Sequence, residues 1–329
     1  MTKDNAKRTR SIIFTHGDSD GVCSGSIAKS AYPDARLYFT SPVNLYDRLK
    51  LAEGFNTVII CDLAIDERTC KQLYHRLEEL AKHVELIYID HHPLPEMNWD
   101  APWFHHDLGS CASELTYRVF KDRLDRDIRR VAIYGAIGDF CDNTPEVAKW
   151  LTDWDKRSLY FQAGTLIQAL QYIGRDHDFK RSLVNPLSHD VIPSEIPGLL
   201  EFAKEASKIE EDLRMRVKEQ VMTLNRLAYV VDPKGYLSKA AIYAASYGKK
   251  DVGIAAHYRR RRNAYDISIR SRSQVDMNRI IRSVAPEFGG TGGGHPVAAG
   301  ARIPVDSFDA FIHELDRTIE KSERSTGTI

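Results

Sequence analysis

Three groups of acidic and histidine side chains stand out because each directly follows a short apolar run. In chain order they are His16, Asp18 and Asp20; then Asp62; then Asp90, His91 and His92. The preceding runs, 11–15, 57–61 and 86–89, are typical of buried strands. In an open parallel sheet, sites form beyond the carboxyl ends of the strands. We therefore expect the three groups to meet at one sheet edge.

These residue types favour divalent cations over unassisted carboxylate chemistry. Carboxylates crowded together raise one another's pKa, and a cation removes that cost. Aspartate and histidine without thiolates suit Mn²⁺, and less selectively Mg²⁺, Fe²⁺ or Co²⁺. Two cations about 4 Å apart can activate a water and clamp a phosphoryl group. Asp62 is the natural candidate to bridge them. The five cysteines include no C-x-x-C pair, which argues against a thiolate zinc site.

A further carboxylate is needed to complete two coordination shells. Asp139 ends the segment Gly135-Ala-Ile-Gly138-Asp139, whose small residues permit close approach of the backbone. Asp142 lies nearby and competes for the same role. We prefer Asp139.

The C-terminal part carries a candidate phosphate-binding segment. Five of the six residues at 289–294 are glycines, and His295 follows them. A glycine-rich loop lets backbone N–H groups approach an anion closely. Arg270 ends a predicted strand and can add a bidentate phosphate contact. No Lys-Ser/Thr pair follows the glycines, so the segment is not a Walker loop.

The elements that must position these groups predict an α/β fold. A strand near 37–40 joins the three runs above, and helices near 23–31, 44–52 and 66–83 alternate with them. This alternation indicates a parallel sheet with helices on both faces. Further helices are predicted at 110–121, 126–138, 155–175 and 199–227. After them come strands at 227–231, 240–243, 252–257 and 264–269, and helices at 275–285 and 306–323.

With 329 residues the chain favours two domains. We predict a metal-binding domain at 1–190, a helical linker at 191–228 and a smaller α/β domain at 229–329. The last of these holds 16 Lys and Arg against 11 Asp and Glu, although the whole chain has no net charge. A basic second domain suits a polyanionic substrate, but chance variation between two solvated surfaces explains it equally well.

The run Arg259–Arg262 separates two predicted strands and is expected to form a hairpin turn. It is either a solvated turn or a contact for a nucleic-acid backbone. No apolar run approaches the ~18 residues of a membrane span, and the N-terminus is polar. We therefore expect a cytoplasmic protein without membrane contact.

Taken together, six elements resemble the DHH phosphoesterase family. They are H-x-D-x-D-G at 16–21, Asp62, D-H-H at 90–92, G-x-x-G-D at 135–139, R-S at 270–271 and G-G-G-H-x-x-A-A-G at 292–300. The resemblance implies two Mn²⁺ ions, with Mg²⁺ or Co²⁺ as substitutes. It also implies an active site in a cleft between the two domains.

The family resemblance also implies a role for each residue. One ion would be held by His16, Asp18 and Asp62, and the other by Asp20, Asp62, His91 and Asp139. His92 would lie beside the scissile phosphate, supported by the Asp90 carboxylate. A substrate phosphate would be held by Arg270, Ser271, Gly293, Gly294 and His295.

The compact first motif looks more like RecJ-type and archaeal single-strand nucleases than nanoRNases. The resemblance thus implies an exonuclease that releases mononucleotides from single-stranded DNA or short RNA. Two alternatives stay open: a phosphohydrolase acting on pAp, cyclic dinucleotides or polyphosphate, and a non-catalytic binding subunit. A homo-oligomer and a DNA helicase or repair partner are open as well.

Overall fold

The structure, a computed structural model, describes residues 10–326, with side chains as far as residue 323. The chain divides into two compact units, Met1–Ala206 and Ser207–Ile329. Both contain a sheet packed against helices, which confirms the predicted α/β class. No helix within the described range is both long and apolar enough to cross a membrane.

The first unit is built on a parallel sheet. Its strands are β1 (Ser11–Thr15), β2 (Arg36–Phe39), β3 (Thr57–Cys61), β4 (Glu85–Asp90) and β5 (Phe104–His106). They are ordered β2-β1-β3-β4-β5, and every neighbouring pair is parallel. Thr15, Cys61 and Ile89 are register partners across β1, β3 and β4. The segments that follow these strands therefore start at the same edge of the sheet.

Helices cover both faces of this sheet. They are α1 (Ser19–Ala31), α2 (Pro42–Arg48), α3 (Cys70–Ala81), α4 (Ala112–Phe120), α5 (Arg129–Gly138), α6 (Pro145–Trp150), α7 (Lys156–Ile173) and α8 (His177–Ser188). On one face, Ile12 and Val58 pack with Leu45 and Leu73 of α2 and α3. On the other face, Ile13 packs in the cluster that includes residues of α1 and α4. Sequence patterns did not predict β5, α6 or α8.

The second unit carries a mixed sheet, and α9 (Leu199–Gln220) crosses the division between the units. Its elements are β6 (Met222–Thr223), β7 (Leu227–Val231), α10 (Leu237–Gly248), β8 (Val252–Arg259), β9 (Ala264–Ser271), α11 (Met277–Glu287), β10 (Thr291–His295), β11 (Ala298–Pro304) and α12 (Phe308–Thr326). The strand order is β10-β11-β9-β8-β7-β6, with only β7 and β8 parallel among these pairs.

Three expectations for this part were wrong. The run 240–243 lies in helix α10, because its alanines are strong helix formers whose buried positions recur at helical spacing. The glycine cluster pairs with β11 as the edge strand β10 instead of forming a loop. The long helix ends at Gln220, and a short strand follows where the prediction continued the helix to residue 227.

Candidate metal centre

The segment after β1 is fixed by contacts from three directions. His16 Nδ1 donates to Asp18 Oδ2 at 2.8 Å. Asp18 caps α1, because its Oδ1 accepts the N–H of Gly21 at 2.9 Å. The ammonium group of the buried Lys180, on α8, donates a hydrogen bond to the Gly17 carbonyl. Both His16 and Asp18 are thus held at the carboxyl edge of the sheet.

Asp20 lies almost fully buried at the amino end of α4. Its two carboxylate oxygens accept the N–H groups of Ala112 at 2.7 Å and Ser113 at 2.9 Å. The positive end of the helix dipole stabilises a carboxylate there. A Cβ at Gly135 would lie 2.2 Å from Ser113 Oγ and 2.8 Å from Asp20 Oδ1. The first glycine of G-x-x-G-D is therefore required by the close packing of α5 against Asp20.

Asp62 occupies the centre of the cluster. Its backbone has φ +54, and its N–H donates to Ile89 O at 3.0 Å. Aspartate is among the few side chains that adopt this left-handed conformation. Asp62 Oδ2 lies 3.8 Å from His16 Nδ1, whereas Oδ1 lies 3.6 Å from His91 Nε2. The two oxygens of one carboxylate thus face two different groups.

His91 joins the remaining acidic side chains. Its Nε2 lies 3.6 Å from Asp139 Oδ2 and 3.9 Å from Asp20 Oδ2. Asp142, the alternative to Asp139, accepts a hydrogen bond from Tyr160 instead. The structure therefore brings Asp139 to the cluster beside His91, with Asp142 turned to α7.

The next histidine is held by its neighbours on β4 and β5. His92 Nδ1 donates to Asp90 Oδ1 at 2.8 Å, and the His92 backbone N–H donates to Asp90 Oδ2 at 3.3 Å. His106 Nε2 donates to the His92 carbonyl at 2.7 Å. These bonds fix the ring of His92 as well as its backbone.

The carboxylates of the cluster differ in protonation behaviour. Burial, together with the charges of Asp18 and Asp20, raises the pKa of Asp62 well above its usual range. Burial and the charge of Asp20 raise the pKa of Asp139 to about 6. Burial lowers the pKa of His92, but the Asp90 carboxylate outweighs it and leaves the pKa raised. The cluster holds more negative charge than it can stabilise by itself.

A divalent cation fits this arrangement. Three groups of side chains each place one ligand atom per residue within 4.8 Å of one another: His16, Asp18 and Asp62; Asp20, His91 and Asp139; and Asp62, His91 and His92. Asp62 Oδ2 is buried and has no hydrogen-bond partner among the described side chains. Oxygen and imidazole donors around a buried, unpaired carboxylate oxygen are suited to Mn²⁺ or Mg²⁺.

In the second unit, Arg270 and His295 occupy one row of the sheet. His295 pairs with Ala298, which pairs with Arg270, so the two side chains project from the same face. The Arg270 guanidinium donates to Ser238 Oγ at 2.6 Å and to Ile269 O at 2.9 Å. Burial lowers its pKa, and no carboxylate pairs with it within the described range.

The other predicted phosphate contacts differ in accessibility. Gly294 has φ +147, and its N–H donates to Asn278 Oδ1 at 2.9 Å. Gly293 lies on the edge strand β10. Ser271 is buried, and its hydroxyl bonds with that of Ser273 at 2.9 Å. We call Arg270, Gly293, Gly294 and His295, which the sequence predicts to contact phosphate, the phosphate-contact surface. Ser271 follows Arg270 on β9 and faces the opposite side of the sheet.

The basic run forms the predicted turn between β8 and β9. Arg259 donates to Asp266 at 2.7 Å, whereas residues 260–262 are exposed in a short 3₁₀ turn. The tryptophans after the D-H-H motif are buried, Trp99 at 4% and Trp103 at 7% exposure. They are therefore core residues and do not offer a stacking surface.

Sequence patterns missed two contacts that orient the centre. For the group His105, His106 and Asp107 the sequence favours a surface or supporting role over a further metal site, but it does not indicate that His106 donates to the His92 carbonyl. Lys180 lies more than 160 residues from the carbonyl that it contacts, and no local pattern indicates such a bond.

Comparisons with known proteins agree with this architecture. The model for the N-terminal domain of the DHH family matches residues 10–138, and the DHHA1 domain model matches residues 228–321. No curated protein matches the chain.

Solved structures share the fold at low sequence identity. RecJ from Thermus thermophilus, in complex with Mn²⁺, superposes with a TM-score of 0.68 at 14% identity, over 95% of this chain and 52% of that chain. PggH, a pGpG-specific phosphodiesterase from Vibrio cholerae, gives 0.60 at 13% identity, over 96% and 100%. The DHH domain of a member of the s1p family of ribosomal proteins gives 0.70 at 15%, over 94% and 86%.

Proposed function

The chain belongs to the DHH family of metal-dependent phosphoesterases, and on that premise we propose that it is an exonuclease acting on single-stranded DNA or short RNA. It would release mononucleotides by hydrolysis of the terminal phosphodiester. The observation that carries this proposal is the buried Asp62 carboxylate, whose two oxygens face His16 and His91 separately.

We assign the ligands of two Mn²⁺ ions accordingly. One ion would be held by His16, Asp18 and Asp62, and the other by Asp20, Asp62, His91 and Asp139. When bound, two such cations neutralise the phosphoryl oxygens and lower the pKa of a water molecule. Asp62 would serve both ions. Asp20 keeps its orientation through the two N–H groups of α4.

His92 would act on the substrate phosphate. Its Nδ1 proton is committed to Asp90 Oδ1, so Nε2 is the ring nitrogen that would donate to a phosphate oxygen. This bond would be charge-assisted, because the phosphate oxygen is ionised. Asp90 would hold the ring of His92 in this orientation, and His106 would keep the backbone of His92 in place.

In the second unit, the phosphate-contact surface would bind another phosphate of the substrate. Arg270 supports this role because its half-buried guanidinium has no acidic partner in the described part of the chain. A guanidinium without a carboxylate partner is a ready site for an anion. His295 would add a second donor from the same face of the sheet.

A small phosphodiester is the second candidate substrate. The chain spans the full length of PggH but about half of the RecJ structure, at 100% and 52% of those chains. We therefore propose hydrolysis of pAp, cyclic dinucleotides or polyphosphate as the alternative to degradation of a nucleic-acid strand.

The test is an end-labelled oligonucleotide assay. Metal-depleted protein is given Mn²⁺, Mg²⁺ or Co²⁺, and single strands of DNA and RNA carry the label at the 5′ or the 3′ end. We expect mononucleotides, with the highest rate in Mn²⁺. Parallel reactions contain pAp, a cyclic dinucleotide and polyphosphate. Hydrolysis of the small compounds alone would replace the exonuclease assignment with the alternative.

A further inference from the structure

Several large apolar side chains are exposed in segments that follow strands of the first sheet or helix α5. They are Val43 (55% exposed) after β2, Leu94 (37%) after β4, Leu108 (67%) after β5 and Phe140 (83%) after α5. Exposed apolar side chains are candidates for contact with a ligand or partner. Inorganic phosphate has no apolar part for such side chains to contact, whereas a nucleotide has its base.

Phe140 is the most exposed of these side chains, and its backbone is strained. It has φ +59, a left-handed conformation that is unfavourable for a bulky residue and easy for glycine. The residue before it is Asp139, whose Oδ2 lies 3.6 Å from His91 Nε2. An exposed aromatic ring at a strained position contributes nothing to the core. Such a combination points to function.

The loop that carries Phe140 is anchored on both sides. Asp139 N donates to Gly135 O at 3.0 Å, and Cys141 N donates to Ala136 O at 2.8 Å. At the far end, Thr144 Oγ1 donates to the buried Glu114 at 2.8 Å. The ring is therefore presented from a fixed backbone, which reduces the entropy that binding would cost.

We propose that Phe140 is a base-stacking residue, whose ring takes the nucleobase beside the phosphate bound at the metal centre. This inference rests on the proposed function and specifies its substrate class as a nucleotide. Every base offers a π-face, and phenylalanine has no hydrogen-bonding group, so the contact tolerates any base. The buried tryptophans of the first unit cannot provide it, since Trp99 and Trp103 are only 4% and 7% exposed.

The experiment compares two matched single strands. One has ordinary nucleotides at the end that the enzyme attacks, and the other has abasic residues at its last two positions. We expect Phe140→Ala to lower kcat/KM on the ordinary strand by about 5- to 150-fold, the equivalent of ~1–3 kcal/mol. On the abasic strand it should leave kcat/KM within about twofold, because no base is present to stack.

Three further proteins complete the test. Phe140→Trp retains a π-face and should keep the preference for the ordinary strand. Phe140→Leu keeps the bulk but lacks the π-face, so it should behave as alanine does, and it serves if Phe140→Ala fails to fold. Phe161→Ala removes a 54% exposed ring from α7 and should change neither rate.

The outcomes separate this inference from the proposed function. Equal losses on both strands would mean that Phe140 only positions Asp139, and that result overturns stacking. Unchanged rates on both strands overturn it as well. If the wild-type protein degrades no strand and hydrolyses only nucleotide-free phosphate compounds, the proposed function fails and stacking fails with it.

Discussion

The metal centre and the phosphate-contact surface differ in how the chain builds them. The metal centre collects side chains from segments between residues 16 and 139, and the buried Asp20, Asp62 and Asp90 are each oriented by further contacts. The phosphate-contact surface comes from one edge hairpin and the neighbouring strand, within residues 270–295. The metal centre depends on many contacts that support one another, whereas the phosphate-contact surface depends on a few contacts at the edge of a sheet. A single substitution in the metal centre should therefore abolish catalysis, whereas one in the phosphate-contact surface should only weaken substrate binding.

The largest effect is expected for Asp62→Asn, which keeps the shape and the left-handed backbone but removes the charge. Loss of the shared carboxylate should lower kcat by about 10³-fold or more, about 4 kcal/mol of lost transition-state stabilisation. In EDTA, the free energy of unfolding of Asp62→Asn should equal or exceed that of the wild type. The reason is that the variant lacks a buried charge that neighbouring carboxylates repel. The measurements are exonuclease rates and melting temperatures with and without Mn²⁺.

Asp251→Asn provides the control, because it makes the same change on an exposed residue of the second unit. Its rate and its Mn²⁺-dependent rise in melting temperature should match the wild type. A wild-type-sized Mn²⁺ shift in Asp62→Asn would contradict the shared-ligand role.

The second prediction concerns packing around the centre. Gly135→Ala forces a methyl group to within 2.8 Å of Asp20 Oδ1 and 2.2 Å of Ser113 Oγ. Overpacking of this kind should destabilise the fold by about 1–3 kcal/mol and displace a proposed ligand. Gly164→Ala is the matched control, because nothing lies within 4 Å of its added Cβ in helix α7. The free energy of unfolding of Gly164→Ala should rise by about 0.5–1 kcal/mol, because alanine is favoured over glycine inside a helix.

Denaturant unfolding gives the free energies of unfolding of the two variants. The Mn²⁺ concentration at half-maximal activity reports whether Asp20 is displaced. Equal stability of the two alanine variants would show that α5 is not constrained at Gly135.

The sequence predicts the first unit and its metal centre better than it predicts the second unit. The bounds of β1 and β3 were predicted correctly, because each is a continuous apolar run buried on both faces. The strand-end rule then placed His16, Asp62 and Asp90 at one edge, and the register of β1, β3 and β4 agrees. Local pattern and topology suffice where a buried parallel sheet carries the residues.

The second unit was harder because its signals are weak or ambiguous. Residues 240–243 are apolar enough for a strand, and only packing in α10 distinguishes the two structures. A glycine run carries no side-chain periodicity, so the pairing of β10 with β11 was invisible. Contacts between distant residues, such as Lys180 with Gly17, depend on the tertiary fold alone.

A smaller effect is expected for His106, which positions His92 without contacting the substrate. His106→Phe keeps an aromatic ring but loses the donor to the His92 carbonyl, a bond of 2.7 Å. We expect kcat to fall about tenfold, as for the loss of a hydrogen bond worth about 1.4 kcal/mol, with KM nearly unchanged. His106→Gln offers an amide donor and should restore most of kcat.

The neighbouring His105→Phe is the control, because the bond to the His92 carbonyl comes from the ring of His106. It should leave kcat close to the wild-type value. A purely structural role for His106 would instead lower the melting temperature of both His106 variants and leave the glutamine without an advantage in kcat.

The smallest effect is expected on the phosphate-contact surface. Arg270→Lys keeps the charge but loses the planar fork that donates to Ser238 Oγ and can hold two phosphate oxygens. KM for an oligonucleotide should rise about 5- to 10-fold, about 1–1.4 kcal/mol, while kcat stays within about twofold. Arg272→Lys changes the exposed arginine two residues later and should leave both constants unaltered. If Arg270→Lys lowered kcat as strongly as Asp62→Asn, the two regions would share one function, and the contrast between a centre that performs chemistry and a surface that binds would fail.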